Sequence, residues 1–159
     1  MEITRTATIT FLKENEGVSA EIQQLIEAAE NARNRAYAPY SEFKVGSAIL
    51  TDDGQVFEGN NQENAAYPSG LCAERVVLFN WGANHSKTKV LHLAISVEAL
   101  GKLQPSKDIV SPCGSCLQVM SEVENRQETP INIYISTGTG IYFAKGVEQF
   151  LPFPFSTKL

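Results

Sequence analysis

Three cysteines, one glutamate and one arginine are the residues in this sequence whose types and spacing could do chemistry. Cys72, Glu74 and Arg75 fall within four consecutive positions, and the pair Cys113 and Cys116 begins 41 positions further along (113 − 72). The chain has three cysteines in all, and an odd number without a secretory signal argues against a disulfide framework. A cysteine pair at this short spacing indicates either a redox centre or a set of metal ligands.

Both cysteine segments are predicted to begin helices. Pro112 favours a helix start, and residues three positions apart, such as Cys113 and Cys116, share one helix face. Helix N-termini carry free N–H groups and a partial positive charge, which favour thiolate over thiol. Three thiolates could hold one Zn²⁺ at about 2.3 Å each. The fourth position would stay open for a water molecule. Bound to the metal, this water becomes acidic enough to supply hydroxide near neutral pH.

Glu74 and Arg75 complete this constellation. Because Glu74 lies two residues from Cys72, its carboxylate should be near the metal without coordinating it, where it could move protons. Three thiolates and one Zn²⁺ sum to a charge of −1. An arginine that donates to the sulfurs would offset part of that charge.

Less specific interpretations exist for each of these residues. A buried cysteine is most often a small core residue, and Cys113 and Cys116 alone would suit a redox pair. A structural zinc site needs a fourth protein ligand, which His85 or His92 could supply. Iron would also bind thiolates. We favour a catalytic zinc site because the complete constellation is specific although its parts are not.

The elements that must position these residues follow the order α-β-β-α-β-α-β-β. Apolar periodicity and turn residues predict helices over 19–36, 72–84 and 114–123, and strands over 44–50, 55–59, 90–97, 131–136 and 141–145. A hairpin followed by alternating strands and helices predicts a mixed sheet with helices on both faces. We therefore expect a three-layer α/β/α fold around a five-stranded mixed sheet, in one domain spanning 1–159.

Composition limits the classes of partner. The 159 residues are 43% hydrophobic and 19% charged, with a net charge of −5. An acidic chain lacks the basic face that nucleic acid requires, and no apolar run reaches the roughly 18 residues of a membrane span. The N-terminus has no basic-then-apolar signal sequence, so we expect a cytoplasmic protein.

Two motifs carry a resemblance to a known family. Cys72-Ala73-Glu74 and Pro112-Cys113-Gly114-Ser115-Cys116 resemble the zinc signature of the cytidine deaminase superfamily, in which the glutamate is not a ligand. The segments 37–48 and 61–68 are also similar to that family, and the resemblance extends from Arg35 to Phe155. Because the first ligand is cysteine, the chain looks like the small, usually homotetrameric deaminases of free nucleosides.

The resemblance implies zinc-dependent hydrolysis of cytidine and deoxycytidine to uridine and ammonia in pyrimidine salvage, with one Zn²⁺ per subunit. It implies that Cys72, Cys113 and Cys116 are the metal ligands and that Glu74 is the proton shuttle. It also implies that Arg75 donates hydrogen bonds to the cysteine sulfurs. It further implies five substrate-binding residues: Asn61 and Glu63 for the ribose hydroxyls, Phe43 and Ala73 for the nucleoside, and Phe155 stacking on the pyrimidine in a neighbouring subunit's site.

Two features depart from the family pattern. Leu117 stands where the common pattern has arginine, and the stretch Leu100–Asp108 is longer than usual. Two alternative functions remain open: a deaminase of a modified cytosine nucleoside or of an antibiotic such as blasticidin S, and a non-catalytic zinc module that binds a partner. An editor of nucleic acid is a weaker third alternative, given the net charge of −5.

Overall fold

A computed structural model describes residues 1–13, 16–101 and 109–156 of the chain. Three helices and six strands form its framework, together with two single 3-10 turns at Tyr67–Ser69 and Val147–Gln149. The helices are α1 (Ala20–Asn34), α2 (Ala73–Asn84) and α3 (Gly114–Gln127). The strands are β1 (Thr10–Leu12), β2 (Phe43–Thr51), β3 (Val56–Asn60), β4 (Val90–Ala99), β5 (Asn132–Thr137) and β6 (Gly140–Lys145).

The strands form one mixed sheet in the order β1-β6-β5-β4-β2-β3. The pair β4 and β5 is parallel and the other neighbouring strands are antiparallel. The prediction of five strands is wrong by one, because the three-residue strand β1 pairs with β6 at the edge of the sheet. A strand this short shows no alternation of apolar and polar residues, so the sequence pattern does not reveal it.

The expected helices on both faces of the sheet are confirmed. One core places Leu25 and Ala29 of α1 against residues of β2, β4 and β6. A second core on the opposite face packs α2 and α3 against the sheet, with Val77 and Met120 fully buried. Among the residues that the structure describes, no helix is long and apolar enough to cross a membrane.

Glycines let the helical layers approach the sheet closely. A Cβ atom at Gly46 of β2 would lie 2.0 Å from the backbone oxygen of Ala29 in α1. A Cβ atom at Gly59 of β3 would lie 2.7 Å from the backbone nitrogen of Val77 in α2. Each glycine is therefore required where a helix backbone touches a strand.

The structure describes only part of the connection between β4 and α3, which contains the longer stretch Leu100–Asp108. Strand β4 continues to Ala99, and residues 102–108, which contain most of the long stretch Leu100–Asp108, lie outside the described residues. The described residues resume at Ile109, and α3 begins at Gly114, two positions after Pro112. The N-termini of α2 and α3 thereby meet at one end of the sheet, where the three cysteines are found.

Candidate metal centre and substrate cavity

The three cysteines lie together. Cys72 and Cys113 are the N-caps of α2 and α3, and Cys116 is fully buried in the first turn of α3. The Sγ atoms of Cys72 and Cys113 are 3.8 Å apart, and those of Cys113 and Cys116 are 3.4 Å apart. All three sulfurs lie within 4.8 Å of one another. Three soft donors at this separation fit a thiophilic ion such as Zn²⁺.

The local sequence explains why the cysteines stand at helix starts. The backbone oxygens of Cys72 and Cys113 accept the first helical hydrogen bonds, from Val76 at 3.1 Å and from Leu117 at 3.0 Å. Neither cysteine side chain caps its own helix, so both sulfurs remain available to a ligand. The free N–H groups of the two first turns add positive potential at the cluster.

The thiol groups of Cys72 and Cys116 have pKa values that are shifted in opposite directions. Hydrogen bonds from Cys116 and then from Arg75, whose Nη2 lies 3.7 Å from the sulfur, lower the pKa of the Cys72 thiol to about 5. The adjacent Cys72 sulfur and burial raise the pKa of Cys116 above its ordinary value. Of these two sulfurs, Cys72 is therefore the one whose thiolate form its surroundings favour, beside Arg75.

Neither histidine joins the cysteines. Among the described residues, the group of potential ligands contains the three cysteines and no histidine or carboxylate. His85 follows α2 and packs against the ring of Phe57, with ring centroids 4.5 Å apart. His92 lies within β4 near Asn132. A closed site with a histidine as the fourth ligand is therefore not formed by the described residues.

Glu74 provides a buried acid beside the thiols. It is the second residue of α2 and only 4% exposed, yet it lines the cavity that opens onto the cysteines. Burial raises the pKa of its carboxyl group to about 7, and the negative Cys72 sulfur acts in the same direction. A group with such a pKa can take up and release a proton near neutral pH.

The cavity next to the cluster has a volume of about 750 Å³ and is open to the surface. Phe43, Asn61 and Glu63, three of the residues that the resemblance implies for substrate binding, line it, and their substrate-binding roles stay predictions. Cys72, Cys113, Glu74 and Arg75 also line it. The cavity therefore joins the polar side chains of Asn61 and Glu63 to the candidate chemical centre, and its volume is large enough for a small ligand.

Asn61 and Glu63 are fixed by backbone groups of the opposite segment. The Asn61 side chain accepts a hydrogen bond from the N–H of Val45 at 2.8 Å and donates one to the oxygen of Phe43 at 2.9 Å. The carboxylate of Glu63 accepts hydrogen bonds from the N–H groups of Tyr40 and Ser41 at 2.8 and 3.3 Å. Each side chain keeps unused hydrogen-bonding capacity.

Sequence reasoning missed the part played by residues 40 and 41. Both line the cavity, and Ser41 also donates from its hydroxyl group to Glu63. They precede β2 in the sequence by only two or three positions, but their partner Glu63 follows β3. Pairing between these two loops depends on how the β2–β3 hairpin closes, which residue spacing alone does not reveal.

Three other residues singled out from the sequence lie elsewhere. Ala73 is fully buried and does not line the cavity. Phe155 is 78% exposed, outside the lining of its own cavity, and its backbone oxygen accepts a hydrogen bond from Gln118 at 2.8 Å. Leu117 is buried in the core beneath the cluster. The substrate-binding roles of Ala73 and Phe155 stay predictions.

This combination defines a class of protein: a three-layer α/β/α fold with three cysteine thiols that could hold a metal ion at the N-termini of two helices, and a buried acid beside them. Comparison with known proteins narrows that class. The family model described as the cytidine and deoxycytidylate deaminase zinc-binding region matches residues 19–129. The match includes all three cysteines and Glu74.

Individual relatives agree with the family model. A curated cytidine deaminase of Sporosarcina psychrophila is 35% identical over 136 residues, which is 86% of this chain and 92% of the relative. The crystal structure of cytidine deaminase from Burkholderia pseudomallei superposes with a TM-score of 0.66 at 37% identity, covering 84% of this chain and 98% of that one. The crystal structure of cytidine deaminase from Mycobacterium tuberculosis superposes with a TM-score of 0.64 at 29% identity, covering 87% of this chain and 100% of that one.

The chain belongs to the cytidine deaminase family. The family model matches well over half of the chain, and the Sporosarcina relative matches over most of both sequences. The resemblance inferred from the two cysteine motifs is thereby confirmed, and so is zinc as the metal of this family's conserved region.

Proposed function

We propose that this protein hydrolyses the C4 amino group of free cytidine and deoxycytidine, giving the uracil nucleoside and ammonia. The observation that carries this proposal is the position of Glu74, a buried carboxyl group that lines the cavity beside three clustered thiols. Hydrolytic deamination requires a nucleophilic water and a group that carries protons between that water and the base. Glu74 supplies the proton carrier, and a metal ion held by the three thiols would supply the activated water.

Cys72, Cys113 and Cys116 would hold the metal. A Zn²⁺ bound by three thiolates supplies Lewis-acid activation of a water molecule near neutral pH. Arg75 donates to the Cys72 sulfur and offsets part of the negative charge that three thiolates bring. The same contact orients Cys72 toward the other two sulfurs.

Glu74 moves two protons during the reaction. It first takes a proton from the attacking water and delivers it to N3 of the pyrimidine, which makes C4 electrophilic. The water oxygen then forms a bond to C4. Glu74 next takes the proton of the new hydroxyl group and passes it to the amino nitrogen, the C4–N4 bond breaks, and ammonia leaves. Burial suits Glu74 to both directions of transfer, because its pKa is near neutral pH.

The sugar end of the substrate lies toward Asn61 and Glu63. The remaining amide donor of Asn61 and the remaining acceptor of Glu63 would bond the ribose hydroxyls. The ring of Phe43 lines the same cavity and would pack against the nucleoside. Ala73 is fully buried and is kept as a contact of the base on the family resemblance alone.

The charge of the cavity favours a nucleoside over a nucleotide. Its charged lining residues, among those that the structure describes, are Glu63, Glu74 and Arg75. Arg75 is engaged with Cys72, and the other two are acidic. A phosphate group entering this cavity would meet two carboxylates and no available cation, so a monophosphate should bind poorly.

A homotetramer is the assembly that we propose, with Phe155 of one subunit stacking on the pyrimidine bound by its neighbour. Phe153 and Phe155, two positions apart in the sequence, are 59% and 78% exposed, and exposed large apolar side chains can mark a surface that meets another molecule. We also propose a cytoplasmic location. The three cysteines are free, as expected for a reducing compartment.

The test is the conversion of cytidine to uridine, followed by ultraviolet absorbance, with the zinc-loaded wild type, Glu74→Gln and Glu122→Gln. Glu122 is an exposed glutamate of α3 and serves as the matched control for the same chemical change. We expect turnover by the wild type and by Glu122→Gln, and a loss of about 10³-fold or more for Glu74→Gln with zinc still bound. Deoxycytidine should also react, and the monophosphates should not.

Each other result would overturn a stated part of the proposal. Equal turnover by Glu74→Gln would remove Glu74 from the mechanism. Turnover only of a modified cytosine nucleoside, or of blasticidin S, would reassign the substrate. A folded, zinc-loaded protein with no deaminase activity would indicate the non-catalytic zinc module.

A further inference from the structure

We propose that Ser41 is a positioning residue for substrate selection, and that its hydroxyl group holds the Glu63 carboxylate in the orientation that receives a hydroxyl group of the sugar. This inference rests on the proposed function, since Glu63 can bind a sugar only if the substrate is a nucleoside. The sequence motifs assign no role to Ser41, which stands 22 positions before Glu63 (63 − 41).

The Ser41 hydroxyl group is bonded on both sides. It donates a hydrogen bond to Oε1 of Glu63 and accepts one from the backbone N–H of Phe43 at 3.0 Å. The hydroxyl group therefore cannot rotate without losing one of these partners. Since Phe43 also lines the cavity, a single side chain links the candidate sugar acceptor to the backbone of the candidate ring contact.

The segment that carries Ser41 is itself held in place. The N–H of Glu42 donates to the oxygen of Ala38 at 3.1 Å, and Glu42 has a φ of 54°, in the left-handed region. The N–H of Tyr37 donates to the backbone oxygen of Asn61 at 3.1 Å, and the N–H of Glu63 donates to the backbone oxygen of Tyr37 at 2.9 Å. The two loops are thus joined through their backbones before any side chain contributes.

Acceptor capacity explains why the hydroxyl group matters. An ionised carboxylate offers about four acceptor positions, and Glu63 uses two on Oε2 and one on Oε1. The unused position is therefore on Oε1, the oxygen that Ser41 holds. Partial burial opposes ionisation, but the hydrogen bonds from Ser41 and Tyr40 outweigh it and lower the pKa of Glu63. The group remains an acceptor at neutral pH.

This geometry predicts an effect on binding that depends on the sugar. In Ser41→Ala, Oε1 loses its anchor, so the KM for cytidine should rise about tenfold while kcat changes little, because Glu74 and the thiols belong to other elements. 2′,3′-Dideoxycytidine keeps its 5′-hydroxyl group but lacks the two ring hydroxyl groups that could donate a hydrogen bond to Glu63, so its KM should change by less than about twofold. A general loosening of the cavity would raise both values equally.

Three further variants separate positioning from folding. Ser41→Thr keeps the hydroxyl group and should retain most of the affinity for cytidine. Ser41→Cys replaces the hydroxyl group by a thiol, which donates a weaker hydrogen bond from a side chain of similar shape. If Ser41→Ala does not fold, Ser41→Cys should show the sugar-dependent effect instead. Ser86→Ala makes the same change at an exposed serine outside the cavity and should leave both KM values unchanged.

The double variant Ser41→Ala/Glu63→Ala completes the test. If Ser41 acts through Glu63, its removal should add almost nothing once Glu63 is absent. Additive penalties, or equal penalties for cytidine and dideoxycytidine, would overturn the assignment of Ser41 while the wild type still deaminates cytidine. Absence of turnover by the wild type would instead overturn the proposed function and this inference with it.

Discussion

Arg75 places a positive charge beside a cluster of thiols whose charge depends on what they bind. Three thiolates with one Zn²⁺ carry a charge of −1, whereas three protonated thiols are neutral. The guanidinium group, 3.7 Å from the Cys72 sulfur, therefore stabilises the loaded site relative to the protonated one. Arg75 should therefore help the site to retain its metal as the pH falls.

Arg75→Gln should consequently release zinc at a higher pH than the wild type. An interaction of roughly 2 kcal/mol, spread over three protons, moves the midpoint by about half a pH unit. Equilibrium dialysis at a series of pH values, followed by zinc analysis, measures the midpoint. Arg35→Gln is the matched control, because Arg35 is an exposed arginine paired with Glu58. A midpoint for Arg75→Gln that equals or falls below that of the wild type would contradict the argument.

At the level of elements, the sequence predicts the helices and hairpins whose apolar spacing and turn residues lie within one short segment. The apolar spacing in α1 and the turn between β2 and β3 place these elements within two residues of their observed bounds. The cysteines were found because both motifs are short and lie at helix starts. The strand β1 was missed because it consists of Thr10–Leu12 and exists only through pairing with β6, and the bond between Ser41 and Glu63 was missed because two distant loops form it.

The contact between α1 and β2 yields the second prediction. In Gly46→Ala, the added methyl group would lie 2.0 Å from the oxygen of Ala29 and 2.3 Å from the nitrogen of Arg33. Both atoms belong to the helix backbone, so α1 must move away from the sheet, at a cost of about 3 kcal/mol or more in the free energy of unfolding. Urea denaturation measures the loss. Gly138→Ala, where nothing lies within 4 Å of the added atom, should change stability by less than about 0.5 kcal/mol.

At the scale of the whole molecule, Glu124 joins parts of the chain that are distant in sequence. Its Oε1 accepts hydrogen bonds from the N–H of Ile131 at 2.8 Å and from the N–H of Val147 at 3.0 Å. One half-buried carboxyl group of α3 thus holds the residue before β5 and the turn after β6. Burial raises the pKa of Glu124 above its ordinary value, although these hydrogen bonds oppose the shift.

This raised pKa makes the stability of the fold depend on pH in a definite direction. A carboxyl group with a higher pKa in the folded state than in the unfolded state binds more protons when folded. Its stabilising contribution is complete below the unfolded pKa of about 4.5 and declines as the pH rises through the folded pKa. At neutral pH the folded protein therefore carries a desolvated charge at Glu124.

Glu124→Gln keeps the acceptor oxygen and removes that charge. We expect a higher urea midpoint than the wild type at neutral pH, with the difference shrinking toward zero as the pH approaches 4.5. Glu124→Ala, which leaves two N–H groups without their acceptor, should lower stability by about 1–3 kcal/mol. Glu122→Gln, the same change at an exposed position of the same helix, serves as the control. A difference between Glu124→Gln and the wild type that grew on acidification would show that the charged form, and not the protonated one, is favoured by the fold.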